Sequence, residues 1–164
     1  CKKLKLIELN ISDVSALSNC HNLTLNSCHN ISDVSTLSNC KNLILDYCKN
    51  ISDVSALSSC KSLMLYKCYN ILDVSALGNC HSLKLYECNN VSDVSALGSC
   101  HNLTLYKLNI SNVSALGSCH NLILEKCDNI SDISALNSVP NLIIKDCEKL
   151  ENIQRVNSKN LIII

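Results

Sequence analysis

A six-residue phrase, Asn30-Ile31-Ser32-Asp33-Val34-Ser35, returns unchanged at 50–55 and, with small changes, along the whole chain. The first Leu of each Leu-x-Leu or Leu-x-Ile triplet stands at Leu4, Leu23, Leu43, Leu63, Leu83, Leu103, Leu122, Leu142 and Leu161. The spacings are therefore 19, 20, 20, 20, 20, 19, 20 and 19 residues. A period this short and regular predicts a solenoid, in which each repeat buries its apolar face only against the repeats above and below. The 164 residues then form one domain of about eight repeats spanning 1–164, and a chain opening on Cys1 reads as an excerpt of a longer one. With no Phe or Trp, five Tyr, three Gly and one Pro, the interior must be built from Leu, Ile, Val, Ala and Cys. Fourteen Lys+Arg against fourteen Asp+Glu argue against a nucleic-acid footprint. No apolar run approaches the roughly 18 residues of a membrane-spanning helix.

Each repeat reads C-x-N-L-x-L-x-x-C-x-N-I-S-D-V-S-A-L-x-x. The stretch Cys40-Lys41-Asn42-Leu43-Ile44-Leu45-Asp46-Tyr47-Cys48 resembles the leucine-rich-repeat family, whose pattern is L-x-x-L-x-L-x-x-N/C-x-L, with Cys40 in place of the first Leu. The Cys-x-Asn-Ile ending resembles the cysteine-containing class of that family. Arrays of about 20 residues carrying Ser-Asp-Val-Ser-Ala-Leu are similar to repeat proteins of amoebae and their giant viruses. The resemblance implies an α/β-class solenoid that is mostly β: a right-handed coil with one parallel sheet and short 3₁₀ turns on its convex side. The cysteine-containing class also implies substrate receptors of ubiquitin ligases, although nothing in 1–164 resembles an F-box.

Local chemistry leads to the same architecture. In Leu23-Thr24-Leu25, alternation sends both leucines inward and Thr24 outward. Ile31, Val34 and Leu37 must also face inward on a return too short for an α-helix of typical length, which predicts a gently curved coil. Asp33 before Val34-Ser35-Thr36 reads as an Asx-type cap on a single 3₁₀ turn. Capping suits the row Asp13, Asp33, Asp53, Asp73, Asp93 and Asp132 better than a calcium ladder does, because glycine-rich loops are missing. The Asn before Ile (Asn30, Asn50, Asn70, Asn90, Asn129) is expected inside the turn, satisfying backbone groups and its neighbours from rung to rung.

Thirteen cysteines form two rows: Cys1, Cys20, Cys40, Cys60, Cys80, Cys100 and Cys119 before the strands, and Cys28, Cys48, Cys68, Cys88, Cys127 and Cys147 after them. Leu9 and Leu108 replace the second row where the repeat is one residue shorter, so cysteine here acts as a small hydrophobe. Reduced structural thiols are expected over neighbouring-rung disulfides. Zinc is the other rival, since Cys20-His21 and Cys100-His101 recur, yet adjacent strand residues point apart. Nine Asn-x-Ser/Thr sequons (Asn10, Asn22, Asn30, Asn50, Asn90, Asn102, Asn109, Asn112, Asn129) include asparagines expected inside the turn, where a glycan would not fit. Both arguments favour an intracellular, cytoplasmic protein, or the host cytoplasm or virion for a viral one.

The outward strand positions vary while the inward ones repeat. Tyr66, Tyr86 and Tyr106 should stack on three successive rungs with Tyr47 nearby, so that four of the five tyrosines share one face. Ile44, Met64 and Lys84 run alongside. These seven residues are the candidate partner-binding set, because Tyr offers rigid area with a polar tip; plain β-propensity is the alternative explanation. A second outward row precedes each strand, and Lys41, Lys61, His81, His101 and His120 form its candidate anion-binding edge. Mutual repulsion should depress the histidine pKa values there, while a solvated charged border against sheet association explains the same residues without a ligand.

There is no nucleophile elbow, phosphate-cradling loop, H-E-x-x-H or C-x-x-C. No enzyme, metal site or cofactor is expected. The reading is a non-enzymatic protein–protein recognition scaffold, with a structural or assembly component and a ubiquitin-ligase receptor as alternatives. Glu148–Arg155 resembles a polar closing turn, and neither end looks fully capped, which suggests further chain or self-association through the ends.

Overall fold

The computed structural model describes residues 2–150 and 159–164. Nine strands occur among them: β1 (Leu4–Ile7), β2 (Asn22–Asn26), β3 (Asn42–Asp46), β4 (Ser62–Tyr66), β5 (Ser82–Tyr86), β6 (Asn102–Tyr106), β7 (Asn121–Glu125), β8 (Asn141–Lys145) and β9 (Asn160–Ile163). They form one parallel sheet in sequence order. Registers are those of the repeat: Leu23 lies beside Leu43, Leu43 beside Leu63 and Leu63 beside Leu83. From β2 to β8 both inward positions of each strand are buried, and the residues between them are half-buried on the open face.

The return side is 3₁₀ throughout, from Ser15–Leu17 and Ser35–Leu37 to five-residue segments such as Ser55–Ser59 and Ser95–Ser99. The expected cap is present on every described rung. Ser35, Ser55, Ser75 and Ser95 each donate their N–H to the preceding Asp Oδ1 at 2.8 Å. The amide oxygen of Asn112 does the same for Ser114 at 3.0 Å. Accepting these bonds favours the ionised carboxylate, so Asp13, Asp33, Asp53, Asp73 and Asp93 are held below the usual value. Ile31, Val34 and Leu37 are buried as the pattern required.

The core is a stack of such rows closed by cysteines. Eleven described cysteines are buried and Cys147 is half-buried, all with free thiols. Their sulfurs contact the carbonyls of the coil below, as Cys48 does with Leu25 O at 3.5 Å and Cys68 with Leu45 O at 3.5 Å. Desolvation pushes the thiols of Cys48 and Cys88 up to about 11 and those of Cys60 and Cys100 up to about 12. Leu108 takes a cysteine position and is buried. Leu9, expected inward, is 42% exposed, the first described rung being packed by a coil on one side only.

Strict alternation would turn the second cysteine row outward. The residue before it prevents this by adopting left-handed backbone, with φ of 50–53° at Glu8, Ser27, Tyr47, Lys67, Glu87, Lys107, Lys126 and Asp146. Two successive residues then face out before the cysteine turns in. The bent residue keeps its ladder bond, as in Tyr47 N–H to Tyr66 O at 2.7 Å and Lys67 N–H to Tyr86 O at 2.9 Å. A left-handed non-glycine residue costs about 1–3 kcal/mol, which the buried row and the retained bond offset.

The turn asparagines do not sit inside. Asn30, Asn50, Asn70, Asn90 and Asn129 are exposed, so the steric argument against glycans at these positions does not hold. The physical reason is the tight turn: Ile31 and its equivalents fill the corner, leaving the preceding side chain to point out. Rung-to-rung bonding survives at the surface, where Asn30 donates to Asn10 and Asn129 to Asn109. A second asparagine ladder, which the repeat reading left unassigned, runs along the strand starts: Asn42 to Asn22, and Asn160 to Asn141 to Asn121 to Asn102. Ser62 and Ser82 interrupt it.

Return segments approach closely on the later rungs. A Cβ on Gly98 would lie 2.2 Å from the Ala115 carbonyl oxygen, whereas Ser18, Ser38 and Ser58 hold the equivalent position on the early rungs. The polar closing turn expected over 148–155 falls, from 151 onward, outside the described residues. Glu148 and Lys149 occupy the same turn as their equivalents on other rungs.

Candidate functional site: the tyrosine-bearing sheet face

Parallel register alone aligns the outward residues. Tyr66 lies beside Tyr86 and Tyr86 beside Tyr106, with ring centroids 6.4 Å and 5.6 Å apart. Each ring is half-buried between its neighbours. Burial raises the Tyr86 phenol, and the Glu125 carboxylate adds to the effect. Beside this row runs Ile44, Met64, Lys84 and Thr104, again in register.

Charged residues border the ladder. Glu87 lies 4.0 Å from Lys67 and 3.7 Å from Lys107, and Lys145 pairs with Glu125 at 2.9 Å. The Tyr66 hydroxyl donates to Glu87 at 3.4 Å. Lys67 is raised by its bond to Tyr66 and then by the Glu87 charge. These pairs are partly buried at the solvent border and remain in contact with water, so they are worth little in stability; the hydroxyl bond to Glu87 ties the Tyr66 ring edge to them.

Tyr47 stands apart from the three-ring row. It occupies the left-handed position after β3 and meets His29 edge-on at 5.2 Å and Tyr69 at 6.2 Å. Tyr69, absent from the sequence-based set, thus joins a second aromatic cluster at the turn. Its signal was its place directly after Cys68, one position beyond the strand-centred pattern. His29 Nδ1 is buried beside this cluster without a hydrogen-bond partner among the described residues.

On the opposite border, Lys41, Lys61, His81, His101 and His120 are exposed, one per rung. The imidazoles of His81, His101 and His120 stack face to face, 4.8 Å and 4.6 Å apart and within 9° of parallel. The His101 pKa is lowered first by desolvation between its neighbours, then by their charge. Cys20, Cys100 and Cys119 are buried while the histidine that follows each is exposed, so adjacent thiol and imidazole do not converge. Among the described residues no group of three or more His, Cys, Asp or Glu is arranged to hold a metal, and no helix is long and apolar enough to cross a membrane.

No family model and no curated protein match the sequence. Solved structures do. The internalin InlF of Listeria monocytogenes is 25% identical with a TM-score of 0.74, the match covering 99% of this chain and 54% of that one. The fold is a leucine-rich-repeat solenoid. Internalin C2 of the same bacterium gives 24% identity and a TM-score of 0.53 over 99% of this solenoid and 71% of that chain. The functional domain of L. monocytogenes InlJ, described as including a cysteine ladder, gives 16% and 0.47 over 99% and 47%. The solenoid thus spans about half the length of InlF. Its own two rows of stacked thiols form a cysteine ladder.

Proposed function

We propose that this solenoid is a non-enzymatic protein-recognition scaffold that meets its partner with the outer face of the parallel sheet. The likeness to internalins supports the general class of interaction scaffold. The observation that carries the specific reading is the Tyr66–Tyr86–Tyr106 ladder, in register and half-buried on an open face. Rings pinned by their neighbours lose little entropy on binding, which is why Tyr concentrates at interface hot spots. Ile44, Met64 and Lys84 extend the patch, and Tyr47 lies at its border.

The test replaces Tyr86 and Tyr106 with Ser and compares bound partners and affinities with the parent chain. Loss of a hot-spot ring costs about 2 kcal/mol or more, a weakening of about thirtyfold or greater. Undiminished binding overturns the reading and favours an assembly role through the solenoid ends. A reducing, intracellular compartment is also proposed. Its support is the packing of the described cysteines at inward, buried positions that Leu108 fills equally well, a use that needs no bond between thiols; the turn asparagines no longer contribute to it. Thiol titration of protein isolated without reductant tests this: disulfides between rungs would refute it.

A further inference from the structure

The turn beyond β3 and β4 carries a cluster that strand pairing does not require. Tyr47 and Tyr69, from successive rungs, stand with their ring planes at 87° and centroids 6.2 Å apart. Together with Ser27, Asp46, Tyr66 and Lys67 they line an open recess of about 260 Å³. That is below the roughly 300–1,000 Å³ of drug-sized pockets, and suits one side-chain head. The cluster already draws ammonium groups. Lys49 Nζ sits 4.7 Å from the Tyr47 ring centroid and Lys67 Nζ 4.9 Å from that of Tyr66. Asp46 adds a carboxylate, which accepts a hydrogen bond from Asn26.

We propose that this recess binds a weakly hydrated organic cation on a protein partner, an arginine guanidinium or an N-methylated lysine, between Tyr47, Tyr66 and Tyr69 with Asp46 as counter-charge. Ring faces attract cations through their quadrupole, and a guanidinium or methylated ammonium leaves water more readily than a bare ammonium. Lys49 and Lys67 are the opposing groups, and their amines must swing aside from the Tyr47 and Tyr66 rings; for Lys67, Glu87 at 4.0 Å offers a place to go. The proposal rests on the recognition reading for its partner, but its chemistry can be tested without one.

The probes are short peptides identical except at one residue: arginine, trimethyl-lysine, unmodified lysine, or the uncharged tert-butyl isostere of trimethyl-lysine. They are titrated into the whole chain while tyrosine ring signals are followed by NMR. The arginine or trimethyl-lysine peptide should move the signals of Tyr47, Tyr66 and Tyr69 and leave Tyr106 unmoved. The uncharged isostere should bind about tenfold more weakly, and the stronger of the two cationic peptides identifies the source. Lys67→Ala should tighten binding severalfold. Tyr69→Leu, checked for an unaltered far-ultraviolet spectrum, should weaken it about tenfold. No ring shift at millimolar peptide, equal binding of the isostere, or weaker binding by Lys67→Ala overturns the proposal. Failure here leaves the Tyr86 and Tyr106 experiment unaffected, because the peptides carry only the cation.

Discussion

Truncating Leu65 to Ala measures the central physical premise, that each coil is stabilised by the coils on both sides. Leu65 is fully buried in β4, with Leu45 and Leu85 in register on either side. Backbone ladders hold both neighbouring strands, so the space left by the lost carbons cannot collapse. A buried Leu→Ala change costs about 2–5 kcal/mol, and the rigid surroundings place this one in the upper half of that range. The same substitution at Leu6 is the internal comparison. Leu6 occupies the equivalent position but is only half-buried, with Leu25 as its single in-register neighbour. Its cost should be less than about half that at Leu65, because half the enclosing contacts are missing. Urea unfolding followed by circular dichroism reads both values from the midpoint. An unchanged slope would show that the array still unfolds as one unit. Equal losses at the two sites, or a loss under about 1 kcal/mol at Leu65, would refute nearest-neighbour stabilisation of the array.

Three further outcomes are expected. At pH 8 a thiol raised from 9.0 to about 11, such as Cys88, presents about a hundredfold less thiolate than an ordinary cysteine. A colorimetric thiol assay should therefore find Cys48, Cys60, Cys80, Cys88, Cys100, Cys119 and Cys127 silent until denaturant is added. The capping aspartates have folded pKa values below 3.8, so the stability they contribute is complete above that value and is lost as pH falls through the depressed folded pKa. Asp53→Ala should lower the melting temperature at pH 7, whereas Asp53→Asn should preserve most of it, as Asn112 does naturally for Ser114. His101 should titrate below 6.5 by NMR. Its folded form prefers the neutral ring, so stability falls as pH drops from 6.5 through the lowered value. His101→Gln should flatten that part of the profile.

The sequence by itself determined whatever depends only on period and polarity. Leu23 and Leu25 had to face inward because the strand alternates, Asp33 had to cap because three residues remained for a turn, and Tyr66, Tyr86 and Tyr106 had to align because their repeats are equal in length. Cysteine in the place of Leu identified both thiol rows as packing rather than chemistry. Tertiary structure decided what depends on where a backbone bends. The left-handed residue after each of β1 to β8 is Ser, Tyr, Lys, Glu or Asp, with no glycine to announce it, because stacking against the next coil enforces the bend rather than local preference. That bend keeps Tyr47 on the outside, one position past the tyrosine row, and brings it to Tyr69, and the tight turn after it put Asn30 and its equivalents at the surface. The bar to a side chain at Gly98 likewise arises from the Ala115 carbonyl of the next coil, a contact that exists only once the coils have stacked.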